Sequence, residues 1–321
     1  NLRVFAYFLI GYSLVLLFPK RNLPRVFVRY LMIVSVIVCL FGLLQWFAPK
    51  DLMTHFGYAV ERGTKPNFFI DDKPDLPRVF STIRDPNSLG AFLIIGSTLS
   101  IAGLLKFWRT ERRMLFGGLV LLHGLVIVLT FGRGAWIGTF LAHAAIVALI
   151  YRGWIQKHIK KLIAISAAIL LILGGGIYVF RDQYIIQNVV FHADESTTLP
   201  DSNELRVGLF KKGIDGVTDQ PLGHGPGTAG LVSTRLPNGL LTENYYLQIA
   251  YEVGVVGLLL FLALLYLIIR ELWRRRANMY AQALLASFVG IAFMNLLLHT
   301  WANEAVACSF FMFAGLNSLR R

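Results

Sequence analysis

The sequence predicts an all-α protein: a polytopic transmembrane helix bundle of about nine spans, with two long polar loops on one face of the membrane. Composition supports this, since 56% of the 321 residues are hydrophobic and only 15% are charged. Mean hydropathy is +0.60, a balance foreign to soluble domains. Apolar runs long enough to cross a hydrocarbon core of about 30 Å recur along the whole chain. Short clusters of Lys and Arg separate them, on alternate sides only.

Taken in order, the spans are expected at Arg3–Phe18, Tyr30–Pro49, Pro86–Leu105, Met114–Phe131, Ala135–Tyr151, Leu162–Phe180, Tyr245–Ile269, Met279–His299 and Ala302–Leu319. Segments 19–29, 106–113, 152–161, 270–276 and 320–321 together carry 18 Lys/Arg and two acids, Glu111 and Glu271. The alternate loops are balanced or acidic, with six basic and six acidic residues in 49–85 and five and eight in 181–244. The positive-inside rule then puts loops 49–85 and 181–244 outside and the C-terminus in the cytoplasm. The net charge of +13 is a topology signal spread over five hairpins, not a nucleic-acid patch. The first span has to run from outside to inside, and residue 1 is Asn, so further N-terminal spans are expected upstream. Residues 1–321 read as a single integral-membrane domain without linker, low-complexity run or internal repeat. Cys39 and Cys308 both lie in apolar runs and cannot make a metal site.

The first outer loop contains Pro49, Pro66, Pro74 and Pro77 and is expected to be irregular rather than helical. It ends in Arg84-Asp85-Pro86-Asn87, where Asp85 suits an N-cap and Pro86 a first helical position. In the second outer loop, Asp201-x-x-Glu204 has the form of a capping box. A short amphipathic helix is expected over 204–217, with Leu205, Leu209, Phe210, Ile214 and Val217 on its apolar side. The run Pro221-Leu-Gly-His-Gly-Pro-Gly227 has to be a turn. The chain re-enters the membrane after Thr242-Glu243-Asn244-Tyr245-Tyr246.

Among residues that could carry chemistry, Arg133 is the most informative. The apolar stretch from Met114 to Tyr151 suits two spans, so Gly132-Arg133-Gly134 falls at their outward hairpin. A charge at the hydrocarbon boundary is costly unless paired, liganded or snorkelling to headgroups. Arg84 and Arg206 fall on the same face, and three guanidiniums there could grip a pyrophosphate by bidentate hydrogen bonds. Arg78 and Arg62 are weaker candidates, and acids in the first outer loop offer each cation an alternative partner. Glu243, at the re-entry point, could serve as a general base or only as a helix-capping acid. Asn244, Tyr245, His224 and Glu252 are secondary candidates. His123 and His143, single residues in apolar helices, are expected to hydrogen-bond internally. No metal-ligand cluster, nucleotide-binding glycine loop or Ser-His-Asp arrangement is visible, so no metal and no cofactor are expected.

Three motifs occur in a telling order: Thr130-Phe-Gly-Arg-Gly-Ala-Trp-Ile-Gly138, then Pro221-Leu-Gly-His-Gly-Pro-Gly227 behind the helix headed by Arg206, then Glu243-Asn-Tyr-Tyr-Leu-Gln-Ile-Ala-Tyr-Glu-Val-Gly-Val-Val-Gly257. Together they resemble the signatures of the bacterial O-antigen ligase and O-antigen polymerase family over roughly residues 80–260. The resemblance implies a metal-independent, inverting GT-C-type glycosyltransferase in the bacterial inner membrane, with its active-site loops periplasmic. It implies a glycan donor carried on undecaprenyl pyrophosphate and an acceptor glycan or glycolipid hydroxyl. The pyrophosphate-binding role falls on Arg133, Arg206 and Arg84, and the catalytic set becomes Glu243, Arg133 and Arg206. Ligases of lipopolysaccharide commonly have His where this chain has Glu243. A polymerase, or a ligase for another cell-envelope glycan, therefore fits equally well. A transporter or lipid flippase without covalent chemistry is the alternative from another class. It would be expected to keep charged groups near the bilayer midplane and to show repeated halves.

Overall fold

The computed structural model describes residues 3–18, 22–70, 73–158, 160–161, 178–179, 202–230, 233 and 239–318. In chain order these include α1 (Arg3–Leu17), α2 (Leu23–Phe47), α3 (Leu52–His55), a 3-10 turn (Val60–Arg62), β1 (Phe69–Ile70), β2 (Lys73–Pro77), α4 (Pro86–Lys106), α5 (Arg112–Leu129) and α6 (Arg133–Ile150). Then follow α7 (Ser202–Asp219), α8 (Tyr245–Arg274), α9 (Met279–Asn295), a second 3-10 turn (Thr300–Ala302) and α10 (Glu304–Ser318). Helices α2, α4, α5, α6 and α8 are long and apolar enough to cross a membrane, and α1 and α9 are shorter apolar helices. The chain is thus a mostly helical, multi-pass membrane protein. The expected span at 162–180 and the capping residue Asp201 lie outside the described residues.

Helix α4 is the centre of the bundle. It packs against α5, α6 and α9 and is buried along almost its whole length. Lipid supplies no hydrophobic drive for helices to associate, so close packing and hydrogen bonds have to hold them together. Small residues permit the approach. Gly90 of α4 faces Ala135 of α6, Gly96 leaves room for the His123 ring, and Gly103 for the Phe116 ring. Polar side chains inside the bundle find one another: Ser97 Oγ lies 2.6 Å from His143 Nε2, His123 Nε2 3.0 Å from Ser35 Oγ, and Thr98 Oγ1 2.6 Å from Ser287 Oγ. The internal bonding expected of His123 and His143 is present.

Two helix pairs meet through glycine on both sides. A methyl group at Gly290 of α9 would run into the Gly138 carbonyl of α6, and one at Gly315 of α10 into the Phe8 carbonyl of α1. Gly290→Ala is therefore expected to lower the thermal midpoint in detergent, at a cost of about 1–3 kcal/mol for overpacking against backbone. Gly124→Ala on α5, where nothing lies within 4 Å, is the control. It should be neutral or slightly stabilising, since alanine is the better helix former.

Several elements depart from expectation. Loop 49–85 is not irregular throughout: it contains α3, a 3-10 turn and an antiparallel hairpin pairing Phe69 with Pro77 and Ile70 with Lys73. Prolines are tolerated there because a two-stranded hairpin has edges at which a missing N–H breaks no ladder. Among the described residues the bundle is helical, with this hairpin and an isolated bridge between Ala229 and Leu240 outside it. Helix α2 begins at Leu23 rather than Tyr30, because Pro24 starts its first turn. Helix α7 docks on α8 through Gly213 and Gly216, against Leu247 and Tyr251. Phe210 and Ile214 of its expected apolar side remain 43% exposed, so only part of that side meets protein.

Candidate active site

The site forms where five chain segments meet at one end of the bundle. The first is the strap 78–85, pinned along its length. Val79 N donates to Leu129 O (3.0 Å), and Arg78 Nε to Thr130 O (2.9 Å). The amides of Phe80 and Ser81 both donate to Gln45 Oε1. Asp85 then caps α4 as its sequence suggests, accepting from Ser88 N (2.9 Å) and Ser88 Oγ (2.6 Å), with Pro86 opening the helix. Arg84 is thereby held, exposed, directly before a rigid helix start.

The second segment joins α5 to α6. Here the Thr130-Phe-Gly-Arg-Gly-Ala-Trp136 motif has a packing explanation. Trp136 Nε1 donates to Ile127 O (3.1 Å) near the end of α5, and Gly132 lies against the Asn87 side chain, too close for a Cβ. Arg133 is the first residue of α6 and is half-buried.

The third and fourth segments interlock. Helix α8 is broken at Gly254 (φ 76°), and the Pro221–Gly227 turn fills the break. His224 N donates to Tyr251 O (2.8 Å), Gly225 N to Glu252 O (3.0 Å), and Val255 N returns a bond to Pro221 O (2.9 Å). Helix carbonyls orphaned by the break are thus satisfied by the turn. His224 also stacks on the Tyr251 ring, with centroids 4.0 Å apart. Glu252 is buried and accepts from Gln248 Nε2 (3.0 Å). At the start of α8, Asn244 Oδ1 caps Leu247 N (2.9 Å) while Nδ2 donates to Leu296 O (2.9 Å). Tyr245 is fully buried beside Phe261 and Trp301.

The fifth segment is 296–303. Met279–His299 was the expected span, but α9 ends at Asn295. Asn295 turns its side chain back, with Nδ2 on Ile291 O (2.7 Å) and Oδ1 accepting from Trp301 N (3.2 Å), so the chain leaves the helix there. His299 is thereby freed from the helix and set in the wall of the site.

At this end of the bundle lies a cavity of about 930 Å³. It is lined by residues from 58–68, from the strap and the start of α4, by Arg206 of α7, by Leu241 and Glu243, and by Leu298, His299 and Thr300. The α5–α6 junction and the 221–227 turn contribute nothing to it. Its lining carries five cations, Arg62, Lys65, Arg78, Arg84 and Arg206, against two acids, Asp85 and Glu243. Arg206 Nε lies 2.6 Å from Glu243 Oε2, with side chains 45% and 29% exposed. That oxygen is shielded from solvent yet accepts no well-aligned hydrogen bond, so the contact is one of charge rather than of donor geometry. His299 lies in the same wall, and burial, then the nearby charge of Arg84, push its imidazole down to about 4. Among the described residues, three non-glycine ones take a left-handed backbone, Ser81 (φ 55°), Phe131 (φ 47°) and Glu243 (φ 49°), and each sits in one of the five segments. Such strain costs of order 1–3 kcal/mol per residue and tends to collect at functional sites.

Of the residues singled out from sequence, Arg84, Arg206 and Glu243 line the cavity together, joined by the weaker candidates Arg62 and Arg78. Arg133 is not in the lining, nor are Asn244, Tyr245, His224 and Glu252. Sequence reasoning missed His299 and Lys65. The signal for His299 was the polar run His299-Thr-Trp-Ala-Asn-Glu304 between two apolar helices, on the face already assigned to the other candidates.

Residues 117–262 match the family model for O-antigen ligase. This segment is an O-antigen ligase-family domain. The O-antigen ligase match spans α5, α6, α7 and most of α8, and therefore includes the Arg133 turn, Arg206, the glycine turn and Glu243. A match to this family suggests glycosyltransferase-type chemistry on lipid-linked glycans. No curated protein matches the chain. Within the match, Arg206, Leu241 and Glu243 line the cavity; the rest of the lining comes from residues 58–68, 78–88 and 298–300, outside it.

Proposed function

We propose that this protein transfers a glycan from a polyprenyl-diphosphate carrier to an acceptor hydroxyl at the cavity, on the extracytoplasmic face of the bacterial inner membrane. The observation that carries this reading is the excess of cations, five against two acids, in one cavity beside the O-antigen ligase-family motifs. The leaving group is a diphosphate diester whose two phosphates are ionised and which gains a further charge as the bond to the anomeric carbon breaks. Fixed guanidiniums stabilise that developing charge more than they stabilise the bound donor, which is the condition for catalysis. Arg84 and Arg206 are assigned the diphosphate, as bidentate donors. Arg133, at the first position of α6 and outside the cavity lining, is assigned a supporting electrostatic role, since its charge and the helix N-terminus both favour an anion nearby. Attack by the acceptor from the face opposite the leaving group inverts the anomeric centre. The chemistry needs no metal in this scheme, since side-chain cations take the charge.

The charge pattern of the connecting segments supports the orientation: the cavity end belongs to the loops that are not enriched in Lys and Arg. Purified protein incubated with undecaprenyl-diphosphate oligosaccharide and candidate acceptors tests the reading. A product ladder is expected from a polymerase and a single capped product from a ligase. Absence of glycosidic product with every acceptor, from folded protein, overturns the transferase assignment.

A further inference from the structure

Transfer requires that the acceptor hydroxyl lose its proton, and three groups in the cavity wall are bases, Asp85, Glu243 and His299. Asp85 is occupied, its two oxygens accepting from Ser88 N and Ser88 Oγ. Glu243 is engaged with Arg206 at 2.6 Å. His299 presents a different picture. Its Nε2 lies 3.4 Å from Thr242 Oγ1, and the single proton of that hydroxyl is directed to Asn244 O (3.1 Å). Thr242 can then only accept from His299, which assigns the ring proton to Nε2 and leaves the lone pair on Nδ1. Among the described residues, Nδ1 has no hydrogen-bond partner. The side chain is nonetheless 9% exposed and lines the cavity. A largely buried imidazole in the wall of a substrate-sized cavity, with an unengaged ring nitrogen, suits a general base.

We propose that His299 is a further catalytic residue, its Nδ1 taking the proton of the acceptor hydroxyl, while Glu243 serves as the charge partner of Arg206. This inference rests on the transferase reading above. In the step, the acceptor O–H bond breaks and its oxygen bonds to the anomeric carbon. The bond from that carbon to the diphosphate oxygen breaks, its electron pair leaves with the lipid diphosphate, and the proton passes to Nδ1. The proton is later handed to solvent or to the departing diphosphate.

The charged groups that line the cavity with His299 are Arg84 and Asp85 from the strap, Arg206 from α7, Glu243 from the entry to α8, and Arg62, Lys65 and Arg78, with Arg84 near enough to act on the ring. Without donor, burial and Arg84 keep the ring neutral. A bound diphosphate adds two negative charges to this cavity and raises the ring's affinity for a proton. Base strength therefore rises when the donor is in place. The acid limb of the kcat profile is expected at higher pH than that of kcat/KM, because the first reports the donor-bound enzyme and the second the free enzyme.

Turnover of the full chain with a lipid-diphosphate oligosaccharide, measured against pH, tests this. His299→Gln is expected to lower kcat about 10²–10⁴-fold, with donor KM little changed and the acid limb abolished. Glu243→Gln is expected to lose activity through Arg206 yet keep the acid limb of the wild type. If His299→Gln retains wild-type kcat, or if Glu243→Gln removes the acid limb, the proposal is overturned. Should His299→Gln prove unfolded, the wild-type and Glu243→Gln profiles decide by themselves. A wild-type chain that turns over no such donor would defeat the transferase reading instead, which keeps the two failures apart.

Discussion

Arg206→Ala is expected to lower kcat/KM for glycan transfer by about 10²–10³, with little change in thermal stability. Two effects add in the same direction. The variant loses a bidentate donor to the diphosphate, and it leaves the Glu243 carboxylate uncompensated in the wall where an anionic donor has to bind. Stability should barely move, because a partly exposed ion pair contributes only about 0–1 kcal/mol. Arg206→Lys keeps the charge but not the planar fork, and should fall between wild type and Ala. Glu243→Gln introduced on top of Arg206→Ala should recover part of the lost donor affinity, a coupling that a double-mutant cycle reads directly. Wild-type transfer by a folded Arg206→Ala chain would count decisively against a role for this cation at the diphosphate.

Gly223→Val is expected to be the most disruptive single substitution in the second half of the chain, costing about 2–5 kcal/mol and abolishing transfer. Gly223 holds φ 96°, in the left-handed region that a β-branched residue avoids. A Cβ there would lie 2.6 Å from Gly254 N and 2.7 Å from Glu252 O, both backbone atoms that cannot swing aside. The three hydrogen bonds that join the Pro221–Gly227 turn to the break in α8 would be lost together. Gly254→Ala attacks the same junction from the other side, with φ 76° and a Cβ 2.5 Å from Pro221 O. Because both substitutions break one junction, the double variant should cost much less than the sum. Unfolding midpoints in detergent for the two singles and the double check this. Additive losses would mean that the turn and the helix break are independent.

These cases show why the glycine-rich motif was legible while its purpose was not. Three glycines and two prolines between 221 and 227 announce a turn from local conformational rules alone. The partner of that turn is Gly254, a position inside an apolar run that otherwise reads as an unbroken helix. No local rule marks that glycine as a break, since glycine also occurs in membrane helices for close packing, as Gly138 and Gly290 do here. The Asp85-Pro86 helix start was legible because cap and helix are neighbours in sequence. The hairpin in loop 49–85 was not, because proline content argues against regular structure without saying where an edge will tolerate it.

Sequence alone determined that the chain is a multi-pass helical membrane protein with an O-antigen ligase-family segment, since apolar run length and motif order are properties of the chain read in one dimension. It also named Arg84, Arg206 and Glu243. Only the tertiary structure decided which groups share a wall. It drew Arg62, Lys65 and Arg78 to the same cavity, left Arg133 outside the lining, and brought in His299 from a segment expected to be helix. The physical reason is that convergence of residues 62, 84, 206, 243 and 299 depends on where helices cross and loops close over long stretches of chain. Those outcomes are set by packing around α4, by glycine contacts and by the α8 break, and none of these is encoded in the spacing of the residues themselves.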